Sequence, residues 1–241
     1  MVQTVHDLLA AVRPHERAPA DRPFVYVNVI ETLDGNVAID GSSHGLGDEA
    51  DLQMLLDLRS ISDAVLIGTG TLRAEGYARL VRNDERRATR RAAGLADDPL
   101  AVLISRRFDI PWEAGLFQAP EQPVLVYTAA PGPVPGVPAP VEVIALPDPS
   151  PTAVLADLRA RGARALLCES GPTLSRALVA AAVVDELFLT LAPVLTGDES
   201  EPPIIAGGQL PQIVPLELVS VRQAGSQLLL RYALEPTPAA G

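Results

Sequence analysis

Strand-like and helix-like segments alternate through most of this 241-residue chain and then give way to two strand-like runs. That order predicts an α/β protein with a mostly parallel sheet, helices on both faces and a C-terminal antiparallel hairpin. Three stretches carry the prediction. In residues 63–76, DAVLIGTGTLRAEG, the apolar run Ala64 to Ile67 breaks into Gly68-Thr69-Gly70-Thr71 and a polar, helix-prone segment with Arg73 and Glu75. Residues 165–182 repeat the transition, with Ala165 to Cys168 breaking at Glu169-Ser170-Gly171-Pro172-Thr173 into a helix over Leu174 to Ala182. The third stretch pairs Leu216–Gln223 with Gln227–Leu234 around Ala224-Gly225-Ser226, a hairpin pattern.

In chain order, residues 4–12 have helical spacing, with Val5, Leu8, Leu9 and Val12 on one face and Thr4 as a candidate N-cap. A Pro-rich link over 14–23 leads to the β-rich run PFVYVNVIE and a turn at Thr32-Leu33-Asp34-Gly35. Residues 41–47, GSSHGLG, are too glycine-rich for an element and read as a loop. Asp48 to Ser60 reads as an amphipathic helix, with acids at its start, a Leu52, Leu55 and Leu56 stripe, and Arg59 in the last turn.

RNDERRATRRAAG follows, a polar helix with five arginines between Arg82 and Arg91, whose simplest reading is a solvated face. Leu100–Ile104, Pro123–Tyr127 and Val141–Leu146 read as strands, and the proline-rich 131–140 as a loop inside a domain. Phe108 to Gln118 is irregular and carries Trp112, read as a packing residue. Thr152 to Arg161 is a helix closed by Gly162. A strand over Asp185–Ala192 and a Pro/Gly-rich loop to about residue 214 precede the hairpin. No linker separates two independently patterned halves, so a helix and linker over 1–22 and one domain over 23–236 are expected.

The two glycine turns fall where open α/β sheets bind ligands, at the carboxyl ends of strands. Glycine removes the Cβ that would hold an anion away from the backbone N–H groups, and threonine hydroxyls add donors. The first turn is neither G-x-G-x-x-G nor a Walker loop, so a phosphate-facing turn and a plain strand-to-helix connection both fit it.

Composition narrows the chemistry. The formal charge of −11 argues against a nucleic-acid partner, which needs a basic surface. With all 19 basic residues arginine and no lysine, Schiff-base and pyridoxal phosphate chemistry and the P-loop lysine are excluded. One cysteine, Cys168, and three scattered histidines give no zinc spacing, so no metal is expected. The longest apolar run, Ala177 to Val184, is too short to span a bilayer and the N-terminus lacks a long apolar core, so a cytoplasmic protein is expected.

The chain resembles the reductase domain of the bifunctional riboflavin-biosynthesis deaminase/reductase, a family with the dihydrofolate reductase fold. The resembling stretches are TLDGNVA (32–38), LLDLRSISDAVLIGTGTLRAE (55–75), PLAVLIS (99–105) and LLCESGPTLSRALVAAAVVDELFLTLAPVLTG (166–197), in the family's order. The deaminase half, with its zinc-binding pattern, is absent. The resemblance implies a three-layer dihydrofolate reductase-like fold and an NADPH-dependent reductase of a ribosylaminopyrimidine phosphate. Reduction of dihydrofolate or another pterin, and a non-catalytic dinucleotide-binding module, stay open beside it.

Carried over residue by residue, Gly68, Thr69, Gly70 and Thr71, and Ser170, Gly171, Pro172 and Thr173, would hold the cofactor phosphates; Ser170 replaces a glycine common in the family. Ser105 and Arg106, after a strand, could meet the adenosine 2′-phosphate, or Arg106 and Arg107 could be a surface pair. The resemblance places substrate at Thr32, Asp34, Ser42, Ser43, Arg59, Glu75, Arg82 and Glu169. Arg59 and Arg82 are expected to converge on Ser42 and Ser43 as a phosphate pocket. The proton could come from water or from a carboxyl, with Asp34 or Glu31 as candidates, and Asp34 could instead cap its turn. Two departures from the family stand out: Asn28 where better-known members have lysine, and Gly76-Tyr77 in place of an Asp-Pro pair. Such exchanges of polar groups bear directly on substrate choice. The apolar Asp185–Ala192 strand and the terminal hairpin suit a homodimer seam.

Overall fold

A computed structural model describes residues 12–234. The helix expected over 4–12 lies outside the described residues, except for Val12, which is buried. The strands are β1 (Phe24–Thr32), β2 (Ala64–Ile67), β3 (Leu100–Ile104), β4 (Val124–Thr128), β5 (Val141–Ala145), β6 (Ala165–Glu169), β7 (Glu186–Ala192), β8 (Leu216–Ala224) and β9 (Gln227–Leu234). They form a single sheet in the order β5-β4-β3-β2-β6-β1-β7-β9-β8. Pairings from β5 across to β7 are parallel, and β9 runs antiparallel to both β7 and β8. The hairpin expected at the C-terminus therefore forms the sheet's edge.

The helices are α1 (Pro14–Arg17), α2 (Glu49–Ser60), α3 (Thr69–Ala74), α4 (Asp84–Ala92), α5 (Pro151–Ala160) and α6 (Pro172–Ala180). The short α1 falls within the stretch read as a link, with Pro14 buried at its start. Period-two alternation sorts the strand side chains into two apolar layers. Tyr26, Val65, Ile67, Leu103 and Leu167 pack with Met54 and Leu58 of α2 on one face. Val27, Leu66, Val102, Leu166 and Cys168 pack with Leu155 and Leu158 of α5 and Leu178 of α6 on the other. Trp112 packs between Phe108 and Phe117, at 5.7 and 4.8 Å between ring centroids, as a core residue.

Helix ends follow their capping residues. Asp48 accepts from the backbone N–H of Ala50 and Asp51, and Asn83 from that of Arg86. Gly162, at φ +97°, supplies the left-handed position after α5. No helix among the described residues is long and apolar enough to cross a membrane.

Helix α4 is largely the solvated face its sequence suggests, with Arg90 as the exception. Arg90 points inward and is 1 % exposed. Its Nη1 donates to the carbonyls of Arg59 (2.8 Å), Ser60 (3.2 Å) and Ser62 (2.8 Å), and its Nε to that of Ala96 (2.8 Å). A cation at the C-terminal end of α2 meets both the unsatisfied carbonyls there and the negative end of the helix dipole.

Candidate active site

Strand order reverses around β6: the chain passes from β1 to β2, moves outward to β5, and returns to insert β6 between them. A cleft of about 690 Å³ opens at the carboxyl ends of β1, β2 and β6. This is where such topologies bind ligands. Both glycine turns line it, as Gly68 to Thr71 and Ser170 to Thr173.

The turns touch each other. A Cβ added at Gly68 would stand 3.4 Å from the Gly171 nitrogen, and one at Gly171 would stand 3.3 Å from Thr71 Oγ1. Both glycines have negative φ (−69° and −66°), so their place here reflects the close approach of the two turns and not left-handed backbone. Gly70 faces open space. Pro172 opens α6 with its N-terminus toward the cleft, while Ser170 turns its hydroxyl away, to Cys168 Sγ (3.0 Å) and Ser175 Oγ (3.2 Å). Cys168 is buried, which pushes its thiol up to about 12 and leaves it inert.

The floor of the cleft is an ion pair. Arg59 grips Glu169 with both arms, Nε–Oε1 at 2.7 Å and Nη2–Oε2 at 2.6 Å, and the Tyr77 hydroxyl donates to Oε2 at 2.7 Å. Burial opposes the Arg59 charge, and the Glu169 carboxylate in contact more than offsets it, so the guanidinium stays charged. Burial, and then Glu169, hold the Tyr77 hydroxyl well above its ordinary pKa, which keeps it a donor. Arg59 is thus committed to Glu169 and does not reach the serine loop.

That loop has another partner. Glu75 accepts from Ser43 N (2.8 Å) and Ser42 Oγ (3.3 Å), and lies 3.2 Å from His44 Nδ1. Ser43 and Glu75 line the cleft, whereas Arg82 is exposed and outside the lining. The convergence of Arg59 and Arg82 on Ser42 and Ser43 is therefore absent, because each residue of that set is engaged or placed elsewhere.

Thr32, Asp34 and Glu31 also lie outside the lining. Asp34 ties its turn to the loop after β7: Oδ2 accepts from the backbone N–H of Gly197 (2.6 Å) and Thr196 (2.9 Å), and Oδ1 from the Thr32 hydroxyl (2.5 Å). The Thr32 hydroxyl and the Gly197 N–H lower its pKa to about 2, so it holds no proton to give at neutral pH. Burial raises Glu31, but the residue faces no part of the cleft. The lowered pKa of Asp34 means its contribution to stability is full above the unfolded value near about 4 and is lost as pH falls through about 2. Asp34→Asn should therefore unfold at lower urea than wild type at pH 7, and the two midpoints should converge in acid. A gap undiminished between pH 7 and pH 2 would contradict this tethering role.

On the far wall Arg106 is the one arginine lining the cleft among the described residues. It pairs with Asp148 at 2.7 Å, with both side chains more than 60 % exposed, so a ligand could displace that contact at little cost. Ser105 is buried beside it and donates to the carbonyl of Asp109.

Sequence reasoning missed Asp51 and the segment Glu201, Pro202 and Ile204, all of which line the cleft. The latter comes from the loop read as irregular, which folds back so that Glu201 accepts from Gly41 N (2.7 Å) and Pro202 from Val37 N (3.0 Å). Tyr77 and Asn28, noted only as departures from a family pattern, both line the cleft, so the departures were the signal.

The cleft's two turns approach each other closely at Gly68 and Gly171, and Arg106 is the one arginine among the described residues that faces it, beyond β3. Residues 23–230 match the RibD C-terminal domain. The chain is 30 % identical over 199 residues to the 2,5-diamino-6-ribosylamino-4(3H)-pyrimidinone 5′-phosphate reductase of Archaeoglobus fulgidus, covering 77 % of this chain and 87 % of that one. It is 25 % identical over 223 residues to the enzyme of the same name from Methanothermobacter thermautotrophicus, covering 89 % and 99 %. A pyrimidine reductase-like protein from Corynebacterium diphtheriae shares the fold at a TM-score of 0.81 and 22 % identity, covering 97 % and 99 %. The chain belongs to the RibD C-terminal domain family.

Proposed function

We propose that this chain is an NADPH-dependent reductase of a ribosylaminopyrimidine 5′-phosphate, with residues 23–236 as one reductase domain. The observation that carries the reading is the contact between the turns Gly68–Thr71 and Gly171–Thr173 at the rim of a cleft floored by Glu169. Relatives that match most of this chain's length are named for that reaction.

A bound NADPH would supply a hydride to the opened-sugar carbon of the substrate. The protein's own part is orientation. The backbone N–H groups of the two turns would hold the cofactor's anionic phosphates, and the Arg59–Tyr77 clamp fixes the Glu169 carboxylate at the cleft. The proton taken up by the neighbouring nitrogen comes from water or a carboxyl in the cleft, because Asp34 is ionised and outside it.

Arg106 favours NADPH over NADH, since a guanidinium recognises a dianionic ester. Arg106→Ala is expected to weaken NADPH binding about tenfold, from the loss of one charge-assisted contact, and to leave NADH binding unchanged. Equal effects on both cofactors would remove Arg106 from the 2′-phosphate site. Leu216, Leu218, Val219 and Val221 on edge strand β8 are exposed, which supports a homodimer; sedimentation showing only monomer at micromolar concentration would exclude it.

Steady-state assays with the diaminopyrimidinone phosphate and dihydrofolate side by side test the function. NADPH oxidation with the first and not the second is expected. NADPH binding without oxidation of either would make the chain a binding module.

A further inference from the structure

Helix α2 lays one stripe of side chains along the sheet at helical spacing: Leu58 and Met54, both buried against Tyr26, and then Asp51 one turn nearer the helix start. The stripe thus passes from the middle of β1 to its carboxyl end, and there its apolar character stops. Asp51 lines the cleft together with Asn28 of β1. Asp51 Oδ1 and Asn28 Oδ1 are buried with no hydrogen-bond partner in ordinary geometry, and the Thr190 hydroxyl of β7 lies beside the Asp51 carboxylate as its one polar neighbour from the sheet. Asn28 pairs with Phe188 and Ile30 with Thr190 across β1 and β7, so Asn28 and Thr190 project from the same face, the one α2 covers. The loop before α2 is shaped around this carboxylate, since a Cβ at Gly47 would collide with Asp51 Oδ2. Asp51 and Asn28 thus bring to the cleft two buried oxygens that the protein leaves without a close partner, which is costly unless a ligand satisfies them.

Resting on the proposed reductase reading, we propose that Asp51 is a specificity-determining residue that accepts a hydrogen bond from an exocyclic amino group on the substrate's pyrimidine ring. It would select an aminopyrimidinone over the counterpart with a carbonyl at that ring position. Asn28 can turn either end of its amide to the ligand and the Thr190 hydroxyl can donate or accept, so both adapt to either ring. An ionised carboxylate only accepts, so Asp51 decides. Burial raises its pKa, the neighbouring Thr190 hydroxyl opposes this, and the Asp48 carboxylate adds to it. An amino donor from the substrate would favour the charged form and relieve that burden.

The test compares kcat/KM for the 2-amino pyrimidinone ribosylamine phosphate and its 2-oxo counterpart in wild type, Asp51→Asn and Asp51→Ala, with NADPH binding measured in parallel. Wild type should prefer the amino substrate by about tenfold or more, the scale of one hydrogen bond to a charged group. Asp51→Asn, which offers both a donor and an acceptor, should bring the two substrates to within about threefold and leave NADPH affinity unchanged. Asp51→Ala should lower activity on the amino substrate more than on the oxo one. A preference unchanged in Asp51→Asn, no preference in wild type, or NADPH binding lost in both variants would overturn the role of Asp51 while turnover leaves the reductase reading standing. Turnover of neither substrate by wild type would overturn both.

Discussion

Replacing Glu169 with glutamine is expected to destabilise the protein by about 3–5 kcal/mol and to remove most of its turnover. Glu169 is 4 % exposed in its side chain and Arg59 13 %, so the variant leaves a buried guanidinium facing a neutral amide. For an isolated surface pair the cost would be a few tenths of this. Here the Arg59 contact is two-armed, Tyr77 adds a third hydrogen bond, and the Arg59 guanidinium also stacks over the Tyr77 ring at 5.3 Å. Thermal unfolding should show a midpoint loss of roughly 2–4 °C for each kcal/mol in a domain of this size. Pairing the change with Arg59→Met removes the orphaned charge and should recover part of the stability but none of the turnover. A variant as stable as wild type would show that the floor of the cleft is held by something other than this ion pair.

Arg90→Ala is the second large expectation, at about 3 kcal/mol, and it lies away from the cleft. The variant would remove donors to four carbonyls, three of them in the segment Arg59 to Ser62 that ends α2 and leads to β2. Because Arg59 sits in that last turn, loosening it should also weaken the grip on Glu169 and raise KM. Urea unfolding measures the first effect and steady-state kinetics the second. A loss under about 1 kcal/mol would mean that water replaces the guanidinium at those carbonyls.

The fold was legible because its signals are periodic. Every strand from Phe24 to Leu234 showed as an apolar or β-rich run, and the order of runs dictated a parallel sheet with a terminal hairpin. The glycine turns were legible for the same local reason, since strand, glycine and helix are adjacent in sequence. What the sequence hid were contacts between distant segments. Arg59 and Glu169 lie 110 residues apart and read as two separate substrate residues, while the structure makes them partners. Arg90 sits among arginines that look alike, and only the approach of α2 shows which of them turns inward. Asp51 read as one more acid near a helix start, as the dipole favours, and its position over β1 appears only when the helix is laid on the sheet. Asp34 was open between capping its turn and chemistry, and the structure engages it in a third way, with the N–H groups of Thr196 and Gly197 in the loop after β7.

The central claim, hydride transfer to a ribosylaminopyrimidine phosphate, is tested most directly with NADPH carrying deuterium at both C4 positions of the nicotinamide. The protein, the labelled cofactor and the 2,5-diamino-6-ribosylamino-4(3H)-pyrimidinone 5′-phosphate are incubated, and the product is fragmented in a mass spectrometer. The account predicts one deuterium in the sugar-derived chain and none in the pyrimidine ring. Binding of NADPH with no deuterium in any product, or deuterium in the ring, would contradict it.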